Sequence, residues 1–173
     1  MHRVLVPVVL VALLVTGCGN GGVPHRTWVT SVCQALSPWR ERITTLNGQA
    51  AEQMKAAKTP AQTRDNLLHL LDGAGQATED ARAKVAAAGV PDVKDGPAIE
   101  QRFVAALAGA RDAYAKARHG IEGLAQQNET AFYAGVKTTM DDLTRDYAKA
   151  GVDTGKLASA DLKKDFDEVP ACA

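Results

Sequence analysis

The chain has 173 residues, 46% of them hydrophobic and 5% aromatic, and balances 20 Lys+Arg against 20 Asp+Glu. That length suits one domain with a core of its own. The charge is even and nothing in the sequence resembles a polybasic stripe, so neither nucleic acid nor anionic lipid headgroups are expected partners.

Met1-His2-Arg3 is short and positive, and Val4 to Val15 is an apolar run broken only by Pro7. A span of the hydrocarbon core takes about 20 apolar residues. The run is too short for that and has the parts of an export signal. It closes on Leu14-Val15-Thr16-Gly17-Cys18, which resembles the lipobox of bacterial lipoproteins. In that family signal peptidase cuts before the cysteine, whose sulfur then carries a diacylglyceryl group. The resemblance implies that residues 1–17 are a signal peptide and that Cys18 is lipidated. The protein would then be exported and held on the outer face of the cytoplasmic membrane. Each buried methylene contributes about 0.8 kcal/mol, so two or more chains make a stable anchor. Residues 18–26 are read as the lipidated cysteine and a flexible tether, and residues 27–173 as the folded domain. Gly19 to His25 would reach at most about 25 Å when extended.

Helical periodicity fills the rest of the chain. Trp28, Val32, Leu36, Trp39, Ile43, Leu46, Ala50 and Met54 make a first stripe at steps of three and four. Thr59-Pro60-Ala61-Gln62 is a fresh start with an N-cap, a first-turn proline and a capping-box glutamine. A second stripe runs from Leu67 to Ala88, although Asp72-Gly73 could break it. Gly89-Val90-Pro91 ends that helix and leads into the loop to Gly96-Pro97, with Asp95 as a helix cap. Ile99 to Leu124 is the third stripe, and Phe132, Val136, Met140, Leu143, Tyr147 and Ala150 are the fourth. Leu162, Phe166 and Val169 predict a short last helix capped by Ser159 and stopped by Pro170. Glycines inside the helices, such as Gly73, Gly109, Gly120 and Gly135, predict close helix approach. The fold expected is all-α: an antiparallel up-and-down four-helix bundle with a short C-terminal helix, closed by one disulfide.

With Cys18 assigned to lipid, Cys33 and Cys172 remain, one near each end of the domain. In an oxidising compartment an even pair most simply forms a disulfide, worth up to about 5 kcal/mol for so long a loop. A metal site or a catalytic thiol are the alternatives, although the chain has no CxxC and neither cysteine has a histidine close by in sequence.

Chemistry is otherwise sparse. There is no HExxH, no Gly-rich phosphate loop, no GxSxG and no Glu-x-x-His pair. His25 falls in the tether, while His69 and His119 fall opposite the apolar stripes and are read as surface. Met54 and Met140 fit core packing better than haem ligation. Asp92 and Asp95 miss the calcium-loop spacing. Asp161, Asp165, Asp167 and Glu168 are read as a solvated acidic tail, and Asn128 as a helix N-cap. No cofactor or metal is expected.

Trp28-x-x-x-Val32-Cys33, the Gly89-Val90-Pro91 to Gly96 loop, Tyr114, Phe132-x-x-Gly135, Leu143 and Pro170-Ala171-Cys172 together resemble the small secreted lipoproteins common in actinobacteria. The resemblance implies an exported, lipid-anchored helical domain and supplies no catalytic residue. Two functions follow as expectations. The first is a monomeric, non-catalytic interaction module at the cell envelope, with Trp28 and Trp39 as the candidate interaction surface and an envelope protein as partner. The alternative is a lipoprotein binding a metabolite, lipid or metal between its helices, for example beside Tyr114 and Tyr147. An enzyme ranks third, since no nucleophile, base and orienting group come together.

Overall fold

The computed structural model describes residues 21–172. The signal segment 1–17 and Cys18 lie outside them. The described chain forms α1 (His25–Ala56), α2 (Pro60–Ala87), α3 (Gly96–Glu122), α4 (Glu129–Ala150), a single turn α5 (Thr154–Leu157) and α6 (Ala160–Glu168), followed by a 3-10 turn at Pro170–Cys172. The four long helices pack in sequence order, α1 on α2, α2 on α3 and α3 on α4. The short connections make each neighbour antiparallel.

Local chemistry accounts for most boundaries. Thr59 Oγ1 accepts the Gln62 N–H at 3.2 Å, with Pro60 at the start of α2. The Gln62 side chain accepts from the Lys58 N–H at 2.7 Å, one residue before the cap rather than at the cap itself. Asn128 Oδ1 accepts the Ala131 N–H at 2.9 Å and starts α4. Gly89 and Gly151, at φ +77° and +68°, end α2 and α4 in the left-handed region that glycine adopts without cost.

Two expected caps differ. Asp95 precedes α3 at φ 61°, but its side chain makes no capping bond. Asp tolerates this conformation better than most residues, and the position serves the turn rather than the helix. Ser159 precedes α6 without capping it, because its hydroxyl is buried without a partner.

Asp72-Gly73 does not break α2. A β-carbon on Gly73 would lie 3.0 Å from Leu46 Cδ2, so the glycine lets α1 approach. The same logic joins α3 to α4, where Gly109 faces Ala150, Gly120 faces Thr139 and Gly135 faces Leu124.

The core has two parts. Near the start of α1, Trp28, Val32, Leu36, Val85, Ile99, Phe103 and Leu162 are buried together. The Trp28 and Phe103 rings meet edge to face at 5.3 Å, and Phe166 of α6 stacks on Phe103 at 5.9 Å. Trp28 Nε1 donates to Gly89 O at 2.7 Å, which settles its polar atom inside the core. At the other end Leu67, Leu71, Ala117 and Ile121 pack with Met54, Val136, Met140 and Leu143. Only Phe132 of α4 is fully buried. α4 lies along α3, and α1 is covered instead by α6 and the terminal turn. The Cys33–Cys172 disulfide fastens that cover, with Cα atoms 4.9 Å apart and a sequence separation of 139.

Trp28→Phe keeps an aromatic ring but orphans the Gly89 carbonyl. We expect a loss of about 1–3 kcal/mol, against about 3–5 kcal/mol for Trp28→Ala, in urea unfolding followed by circular dichroism. Replacing Cys33 and Cys172 together by Ser is expected to lower the unfolding free energy, read from urea titration, by an amount capped at about 5 kcal/mol.

Candidate functional site

The residues singled out in the sequence do not converge on one centre. Cys33 and Cys172 are joined to each other, which leaves neither as a metal ligand or a free thiol.

Trp28 and Trp39 are not a surface. Trp28 is 0% and Trp39 8% exposed. Both fall on the apolar stripe of α1, and the indole of Trp39 donates to Thr78 Oγ1 at 3.0 Å inside the α1–α2 seam. Burial and a satisfied N–H remove both as candidates for an interaction surface.

The tether expected through residue 26 ends sooner. Val23 N–H donates to Val90 O and Val23 O accepts from Asp92 N–H, both at 2.7 Å, in a parallel bridge centred on Pro91. α1 then begins at His25. His25 Nδ1 meets Asp165 Oδ2, while Arg26 lies 3.9 Å from Asp165 and 3.2 Å from Glu168. Asp165 is therefore no solvated acid: its side chain is 8% exposed and faces the start of α1. A buried carboxylate needs partners, and α6 finds them 140 residues back along the chain.

His69 and His119 are exposed, as their helix positions require. Met54 and Met140 are half-buried against the second core. Tyr114 and Tyr147 pack against each other at 5.7 Å. Burial, with a smaller contribution from Tyr147, pushes the Tyr114 hydroxyl up to about 12, and burial raises Tyr147 in the same direction. Among the described residues no group of three or more His, Cys, Asp or Glu could hold a metal ion.

Three surface features remain. A cleft of about 410 Å³ opens beside the disulfide, lined by Arg40, Lys163, Phe166 and Asp167. Tyr133, 38% exposed, stands on Phe132 at 5.2 Å at the start of α4. Its hydroxyl is 3.4 Å from Thr63 Oγ1. The sequence signal for it is an aromatic one step out of phase with the α4 stripe.

The third feature is a ladder of ion pairs tying α3 to its neighbours. Arg111 meets Glu79 at 2.7 Å, Arg118 meets Asp72 at 2.5 Å and Lys116 meets Asp146 at 2.6 Å. Hydrogen bonds from Arg82 and then Arg111 hold the Glu79 carboxyl down at about 2, and Lys116 lowers Asp146. The arrangement orients helices; it brings no base to a nucleophile.

No protein-family profile, curated protein or solved structure matches the chain.

Glu79 titrates lower in the folded state than its ordinary 4.5, so its contribution to stability is complete above that value and is lost as pH falls toward about 2. Glu79→Gln is therefore expected to flatten the acid limb of the stability curve over that window. Unfolding midpoints near neutral pH and on the acid side measure it.

Proposed function

We propose that the protein is an exported lipoprotein, anchored by lipid on Cys18 to the outer face of the cytoplasmic membrane, and that it acts there as a non-catalytic interaction module. The observation that carries this reading is the Cys33–Cys172 disulfide. Such crosslinks form and persist in oxidising compartments, which agrees with the export signal and lipobox ahead of the domain. The small residues in the helix seams and the charge ladder support a rigid scaffold rather than a reaction centre.

The surface best suited to an envelope protein partner is the start of α4. Tyr133 is exposed there, and the neighbouring Val136 and Met140 are only half-buried. Exposed aromatics beside apolar side chains are what partner surfaces use as anchors.

A second reading has its own observation. The cleft beside the disulfide places Arg40 and Lys163 around Phe166. That combination suits a small organic anion with an apolar body.

Native mass spectrometry of protein extracted from its own membrane tests both. We expect lipid mass on Cys18, the loss of two hydrogens for the crosslink and no retained small molecule. Cys18→Ala should leave the protein out of the membrane fraction. An unlipidated mass would overturn the anchoring, and a retained organic anion would favour the second reading. A photo-crosslinker at Tyr133 should capture a defined envelope protein that one at His69 does not. Tyr133→Ala should abolish that complex, with unfolding changed by no more than about 1 kcal/mol.

A further inference from the structure

We infer that the end of the bundle formed by Gly22–Arg26 and the Gly89–Asp95 loop faces the lipid bilayer, with Val90 at the contact. The inference rests on lipidation of Cys18.

The argument begins with the length of chain between lipid and fold. Val23 is held by two backbone hydrogen bonds to the loop. Gly22 lies against the same backbone, where a β-carbon would come 2.9 Å from Val90 O. Only Gly19, Asn20 and Gly21 separate Cys18 from this fixed point. From Cys18 to Gly22 the chain reaches at most about 14 Å. The headgroup layer of one leaflet takes up roughly 5–8 Å of that. The loop is left within about 10 Å of the membrane surface, close to the range over which surface charge acts.

The side chains at that end complete the case. Among the described residues the large apolar side chains left exposed are Val90, at 37%, and Tyr133, at 38%. They sit at opposite ends of the bundle: Val90 precedes α3, and Tyr133 follows its end. α3 alone spans about 40 Å. The long flanks instead carry the ion pairs of Glu79, Arg111, Asp72 and Arg118, which favour water. Arg26, Asp92, Lys94 and Asp95 at the anchored end mix both signs. Contact there depends on proximity and the apolar Val90 rather than on anionic lipid. The bundle stands on its Val90 end and presents Tyr133 outward.

The test places a fluorescent amino acid by codon suppression at position 90, 69 or 126 of the full protein. Each lipidated product is reconstituted in phosphatidylcholine vesicles that contain a headgroup spin-labelled lipid. Quenching at position 90 should exceed that at 69 and 126 several-fold and stay unchanged when phosphatidylglycerol is added. Val23→Pro removes the donor to Val90 O and should erase the difference while helicity is retained. Equal quenching at 90 and 69 would mean that the domain lies on its flank, and stronger quenching at 126 would reverse its orientation. Either overturns the inference. Intact mass read in parallel separates the two claims. If Cys18 carries no lipid, the anchoring fails, and the same chain coupled through Cys18 to a maleimide-headed lipid still decides which end faces the bilayer.

Discussion

Covering the Trp28 end of α1 is the constraint on which the rest of the structure depends. α4 runs along α3 and leaves that end of α1 without a fourth long helix. An indole and the Phe103 ring left in water there would forfeit several kcal/mol of burial. Three short segments provide the cover. α6 supplies Leu162 and Phe166, the terminal turn brings Cys172 to Cys33, and the α2–α3 loop offers Gly89 O to the indole. The buried Asp165 and its partners His25 and Arg26 follow from that docking, since α6 cannot approach without bringing a carboxylate with it.

Much of this was legible in the sequence, and the reasons are specific. Stripes at steps of three and four identify the four long helices because each buries one face. Pro60, Gly89 and Gly151 mark ends because their backbones allow little else. Reading Cys18 as a lipobox cysteine leaves Cys33 and Cys172 as an even pair, and the structure joins those two. Trp28 and Trp39 show the opposite case. Their place on the first stripe already implied burial, and their size suggested a binding surface; periodicity was the better guide. Asp165 could not be read at all, because its burial depends on residues at the other end of the chain. Tyr133 is a matter of helix phase. Beside Phe132 it looks like part of an apolar pair, yet one step along a helix turns it by about 100° to the outside.

The two ends of the bundle are chemically different. One holds a fixed N-terminal segment, a loop without slack and a crosslink. The other has half-buried aliphatic side chains on α4 and an exposed tyrosine. Between them, Gly120 and Gly135 keep α3 and α4 close, and the ion-pair ladder sets their rotation. Such a body transmits position rather than shape change.

The crosslink also has a consequence for how the molecule is made. If the chain crosses the membrane N-terminus first, Cys33 emerges early and must wait for Cys172, 139 residues later. During that interval its thiol has no native partner. Any product cut short before Cys172, by a premature stop or a protease, keeps that thiol and loses the cover over α1. The oxidation state of Cys33 thus records whether a given copy of the chain was made through to Cys172.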